Sequence, residues 1–202
     1  MKHLFILSIT LCLAFTACGP SQKVSRVAAD SQTDLSGKWN DTDARLVAEE
    51  MITDAVEKPW LSRFTTNHSG TPPVTIVGRV RNETMEHIDT EVFTKEMERA
   101  FINSGMVNVV ASSDERAQMR EERQDQQSNA SYESTKALAQ ELGADFMLIG
   151  NISSILDESV SGREAAVFYT INLELVNVET NQKVWIGNKK IKKMIERNRY
   201  RG

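Results

Sequence analysis

The sequence predicts an α+β domain: a mixed β-sheet of about five strands with helices packed on one face, preceded by a signal peptide and a short polar tether. Three observations carry this prediction. Apolar residues recur at spacings of three and four in several blocks after Asp41, the mark of amphipathic helices. Between those blocks lie β-branched and apolar runs at Val74–Val80 and Asp145–Ile152, which read as buried strands. From Ala166 onward the chain alternates apolar and polar residues and then turns back, so helix and strand alternate first and a β-meander follows. With 202 residues, 40% of them apolar and 26% charged, the chain is large enough for one domain with its own core.

The first segment is set apart. Lys2 and His3 precede an apolar run from Leu4 to Ala14, broken by Ser8 and Thr10. That run is short for a bilayer span, and with the basic start it reads as a secretory signal over residues 1–17. Phe15-Thr16-Ala17-Cys18 resembles the bacterial lipobox, which implies cleavage before Cys18 and lipidation of its thiol. Phe15 stands where that motif usually has Leu. A diacylglyceryl group plus an N-acyl chain is enough for stable membrane attachment, with the folded part facing the periplasm. Cys12 leaves with the signal, so the mature chain keeps no thiol for catalysis.

Residues 18–40 are mostly Ser, Gln, Asp, Thr, Lys and Gly without a helical or strand period, and read as a lipidated flexible tether. Fully stretched, such a segment reaches roughly 70–80 Å at ~3.3–3.6 Å per residue.

The domain is expected over 41–188. Asp41 or Thr42 can cap a first helix whose inner face is Ala44, Val47, Ala48, Met51, Ile52, Ala55 and Val56. Pro59 stops it, and Trp60 to Pro73 reads as loop because of Asn67-His68-Ser69-Gly70 and Pro72-Pro73. After the first strand, Asp89-Thr90 cap a helix through Val92, Phe93, Met97, Ala100, Phe101 and Ile102, ended by Gly105. Met106–Ala111 is a short strand. Ser112 or Ser113 then caps a polar helix, Glu115 to about Gln127, held to the domain only by Ala117 and Met119. A fourth helix is expected over Ser131–Leu142, closed by Gly143. A polar turn around Asp157–Arg163 leads to a strand over Ala166–Val178. Glu179-Thr180-Asn181-Gln182 turns the chain into Lys183–Gly187, which returns beside it. Residues 189–202 hold seven basic residues between Lys189 and Arg201 against Glu196 alone, and read as a basic C-terminal tail. It could touch anionic lipid, wall polymer or an acidic partner surface.

Three strings point to a family: Met119-Arg120-Glu121-Glu122-Arg123-Gln124-Asp125-Gln126; Ala139-Gln140-Glu141-Leu142-Gly143-Ala144-Asp145-Phe146-Met147-Leu148-Ile149-Gly150; and Leu173-Glu174-Leu175-Val176-Asn177-Val178-Glu179-Thr180-Asn181-Gln182-Lys183-Val184-Trp185. Over roughly Val74 to Lys190 the chain resembles the penicillin-binding protein activator LpoB family. The resemblance implies a domain like the N-terminal domain of TolB, an outer-membrane location, and a partner that is a class A penicillin-binding protein, a peptidoglycan synthase. The familiar members have a long proline-rich tether, whereas here Pro20 is the tether's one proline. The other reading is a structural or assembly lipoprotein of an envelope secretion or curli-type complex.

Catalysis is not expected. The mature chain holds only His68 and His87, both in segments read as loops, and no H-E-x-x-H, G-x-S-x-G, P-loop or G-x-G-x-x-G string. Asp157-Glu158 are adjacent in a polar loop and read as solvated. The net charge of −4 gives no attraction to phosphate backbones, so no nucleic-acid partner is expected. No cofactor or metal is expected either. Candidate partner contacts are Arg120 and Arg123 on the polar helix and Asn172 and Glu174 on the wet face of the Ala166–Val178 strand. Trp60 and Trp185 could anchor an interface or pack into the core.

Overall fold

The computed structural model describes residues 24–28, 31–129 and 143–197. The signal, Cys18, the expected helix over Ser131–Leu142 and residues 198–202 lie outside them. The chain divides into two units, Met1–Ser31 and Gln32–Gly202. In the first, residues 24–28 are exposed and without regular structure.

The second unit runs α1 (Asp41–Val56), α2 (Pro59–Asn67), β1 (Val74–Asn82), α3 (Thr90–Ser104), β2 (Asn108–Val110), α4 (Ser113–Asn129), β3 (Phe146–Glu158), β4 (Glu164–Asn177) and β5 (Lys183–Glu196). The strands form one five-stranded sheet in the order β2-β1-β3-β4-β5. β1 is parallel to β2 and β3, while β3, β4 and β5 are antiparallel neighbours. The sheet is therefore mixed, and the α+β class holds.

Local chemistry sets the helix ends. Asn40, one residue before the expected caps, closes α1: its side chain accepts from Asp43 N–H while the Asp43 carboxylate accepts from Asn40 N–H. Only Asn40 has an acid three residues on, in position to complete this reciprocal pair. Pro59 does stop α1, but it also starts α2 as its first residue, where a missing N–H costs nothing. The segment expected to be loop is thus helical up to Asn67. Its apolar residues, Trp60, Leu61 and Phe64, pack on the core, and the loop signal at Ser69-Gly70 marks only its end. Asp89 caps α3 by accepting from Glu91 N–H, and Gly105 ends it at φ 66°, a left-handed conformation that glycine adopts without a Cβ clash.

The core lies between one face of the sheet and helices α1 and α3. Leu148, Ile152, Tyr169, Ile171, Leu173 and Leu175 point into it and meet Val47, Ile52, Phe93, Met97 and Phe101, all with 1% exposure or less. Each such side chain contributes about 1.5–3 kcal/mol. Trp60 and Trp185 also pack here, at 3% and 5% exposure. Trp60 Nε1 donates to the Ala55 carbonyl (2.7 Å) and Trp185 Nε1 to Asp54 (2.8 Å). Both are core residues, so neither is an interface anchor.

Two expected boundaries move. The basic tail does not begin at Lys189, because β5 runs through Glu196 and pairs with β4 along its whole length, from Lys183 opposite Val176 to Glu196 opposite Glu164. The tether does not extend to Asn40, because residues 32–40 belong to the folded unit. Gly37 is buried against Ile195 with no room for a Cβ. Trp39 packs edge-on against Phe93 and Tyr169, at centroid distances of 5.8 and 5.7 Å. The polar composition of 32–40 conceals these two contacts.

A polar row across the open face of the sheet: the candidate functional site

The side of β3, β4 and β5 turned away from α1 and α3 carries half-buried or exposed residues, among them Asn151, Asn172, Glu174, Ile186, Asn188, Lys190, Lys192 and Met194. Strand register builds a row across this face. Arg81 of β1 is paired with Asn151 of β3, Asn151 with Asn172 of β4, and Asn172 with Asn188 of β5. Hydrogen bonds run along it. Asn188 Nδ2 donates to Asn172 Oδ1 (2.6 Å), Asn172 Nδ2 to Asn151 Oδ1 (3.4 Å) and Asn151 Nδ2 to Glu83 Oε2 (2.6 Å). Arg81 Nε closes the row on Glu83 Oε1 at 3.2 Å.

Beside the row, Glu174 lies between Ile149 and Ile186 in the register and pairs with Lys183 at 2.7 Å. A depression of about 360 Å³ opens here, lined by Arg79, Arg81, Ile149, Gly150, Asn151, Asn172 and Glu174. The arrangement offers amides, charges and isolated apolar side chains on a rigid sheet, which suits recognition of another surface. It assembles no acid, base and nucleophile around a reacting atom.

Of the residues expected from sequence, the structure brings Asn172 and Glu174 together on this face. Arg120 is exposed on α4, a different element, and Arg123 belongs to the same helix. α4 is tied down at its first turn. Ser112 caps it, accepting from Glu115 N–H while Glu115 accepts from Ser112 N–H. Lys95 Nζ lies 2.5 Å from Glu115, and Arg116 donates to the Ala111 carbonyl at 2.7 Å. The Lys95 ammonium, helped by the Ser112 N–H, pulls the Glu115 carboxyl down to about 2.

Asn151, Asn188, Arg81 and Glu83 are missed by the sequence reading. A strand's own alternation shows which residues share a face, but only the pairing of strands shows which of them form a row. The remaining candidates scatter. His68 stacks on Phe64 at 3.8 Å and contacts the Phe64 carbonyl through Nδ1 at 2.8 Å. His87 is exposed in the loop before α3. Asp157 and Glu158 end β3, where Glu158 pairs with Arg197. Among the described residues no helix is long and apolar enough to cross a membrane.

The chain is similar to known proteins. The family model described as peptidoglycan-synthase activator LpoB matches residues 43–191, a span that starts in α1 and ends in β5. No curated protein matches. Among solved structures, the LpoB C-terminal domain from Salmonella enterica is similar at 16% identity and a TM-score of 0.43, covering 74% of this chain and 98% of that one. The corresponding domain from Escherichia coli is 19% identical, with a TM-score of 0.38, covering 66% of this chain and 98% of that one. The NMR structure of E. coli LpoB is 18% identical, with a TM-score of 0.41, covering 90% of this chain and 89% of that one.

Proposed function

Because the chain belongs to the peptidoglycan-synthase activator LpoB family, we propose that it is a lipoprotein, anchored at Cys18 in the outer membrane and facing the periplasm, that binds and activates a class A penicillin-binding protein. The observation that carries this reading is the family match over residues 43–191, which takes in β1 to β4 and most of β5. The open face, with Asn172 and Glu174 at its centre, is the docking surface in this proposal.

Such a protein works by binding alone. An activator raises the rate of its partner only if it holds the partner's active conformation better than the resting one, since equal affinity for both shifts nothing. A tenfold gain in the active population of a mostly resting synthase requires about 1.4 kcal/mol of differential affinity. A few well-placed hydrogen bonds from a rigid row can supply that much. Because the row is held by the sheet, its amides lose little entropy on binding.

A pull-down tests the reading. The full-length chain, extracted in detergent, is expected to retain a class A synthase from membranes of its own organism. Asn172→Arg, which places a bulky cation in the middle of the row, is expected to release it without altering the melting curve. Retention of none of the organism's class A synthases by the wild-type chain would refute the proposal. Lipidation has its own assay: fatty-acid labelling is expected in the wild type and lost in Cys18→Ala.

A further inference from the structure

Charge is divided between the two sides of this domain. The helical side is acidic: α1 carries five acids and one base, and α3 three acids and two bases. Strand β5 has the opposite sign, with five lysines against Glu196. Strand alternation then sorts those lysines. Lys189 and Lys193 turn toward the helices and are neutralised, Lys189 by Glu50 at 2.5 Å and Lys193 by Asp43 and Asp34 at 2.5 and 2.7 Å. Lys183, Lys190 and Lys192 turn to the open face. There Lys183 takes Glu174, and Arg81 takes Glu83. Among the described residues no acid pairs with Arg79, Lys190 or Lys192. Lys192 rests its ammonium 4.8 Å from the centre of the Phe168 ring. Toward the far end of the same face stand Asp157, Glu164 and Glu196, none of which has a basic partner among the described residues.

We infer that the open face recognises an acidic protein surface, with Arg79, Lys190 and Lys192 as the groups that meet its carboxylates around the asparagine row. This rests on the proposed function and names the chemistry of the partner patch at the same site. Three observations favour it. The unpaired cations lie around the amide row of a chain whose net charge is −4, and the unpaired acids of the same face, Asp157, Glu164 and Glu196, lie beyond them toward the strand ends, so the positive sign is local to the surroundings of the row. They stand on β1 and β5, on either side of the amide row, so a partner placed on the row meets a cation at each flank. The exposed Ile186 and Met194, at 63% and 65%, give the same partner apolar contact, as interfaces with a charged rim and small apolar centres do. Opposed charges at such a rim mainly speed encounter and make it sensitive to salt.

The test uses the full-length chain, in detergent, and the class A synthase it retains. Binding is expected to weaken at least tenfold between 50 and 500 mM salt, figures of about the range over which screening shortens from ~14 to ~4 Å. The triple variant Arg79→Glu, Lys190→Glu, Lys192→Glu is expected to lose the synthase, and Lys190→Arg to keep it. All three side chains are exposed, and melting curves confirm that each variant is folded. In parallel, a polyglutamate peptide is titrated into the chain and followed by NMR, with shifts expected at Asn151, Asn172 and Asn188. Synthase binding that ignores both salt and the triple variant overturns the inference while leaving the proposed function standing. Shifts from polyglutamate on this face, with no synthase retained, keep the acidic-protein inference and remove the synthase. Capture by phosphatidylglycerol vesicles, lost in the triple variant, with no polyglutamate shifts, assigns the face to a membrane and overturns the inference.

Discussion

Lys193 Nζ lies 2.5 Å from Asp43 Oδ2, and each side chain is only 9% exposed. The pair joins the fourth residue from the end of the sheet's last strand to the first turn of α1. Asp43 also completes the cap of α1 with Asn40, and Lys193 donates to the Lys38 carbonyl at 3.0 Å and to Asp34. One buried ammonium thus holds the last strand, the first helix and the segment leading into it.

Removing one member of a buried pair leaves the other without its counter-charge, which costs about 3–5 kcal/mol. Lys193→Ala is therefore expected to destabilise the domain by about 3 kcal/mol, read from urea denaturation. Lys193→Met combined with Asp43→Ala is expected to cost less than the sum of its single variants, because the orphaned charge is gone.

The same region is expected to loosen in alkali. Burial, followed by the hydrogen bond to Glu86, pushes the Tyr169 phenol well above its ordinary 10.0. For Lys193 burial works against the charged form, yet the bonds to Asp34 and Asp43 prevail and raise it above 10.5. Both folded-state values are raised, so both contributions are complete below about pH 10 and disappear as pH climbs through the folded values. The denaturation midpoint is expected to drop as pH rises above about 10. Tyr169→Phe, which deletes the bonds to Glu86 (2.6 Å) and the Gly37 carbonyl (3.1 Å), is expected to cost about 1–3 kcal/mol at neutral pH and to flatten that drop.

At the other end of the scale, Glu115 is held down near 2 by Lys95. A depressed carboxylate contributes above its ordinary value of 4.5 and loses that contribution as pH falls toward 2. The pair is partly exposed, so the effect is under about 1 kcal/mol. It is expected to appear as faster amide exchange in the first turns of α4 below pH 4.5, and Glu115→Gln is expected to show the fast rate at every pH.

Leu148, the third residue of β3, is fully buried, and Leu148→Ala is expected to cost about 2–5 kcal/mol. A denaturation midpoint equal to wild type would contradict its place in the core.

Leu148 also shows what was legible in the sequence. Its strand is apolar, flanked by turn signals and preceded by Gly143, so periodicity finds it and the α+β class follows. Lys189–Glu196 defeats the same reasoning. Its lysines make both faces look wet, and only the acids of α1 and the 32–40 segment explain why Lys189 and Lys193 turn inward. Gly37 and Trp39 were hidden in the same way, since two contacts fix a segment whose composition is that of a linker. At the candidate site Asn172 and Glu174 were visible as the polar phase of an alternating strand. Asn151 and Asn188 join them through register, a property of pairs of strands that no single segment displays.

The most direct test of the central claim is the glycan polymerisation rate of the class A synthase as the full-length chain is titrated in to saturation. The rate is expected to rise and then plateau, with Asn172→Arg leaving it at the basal value while melting like wild type. A rate unchanged at saturating chain, for every class A synthase of the organism, would contradict it.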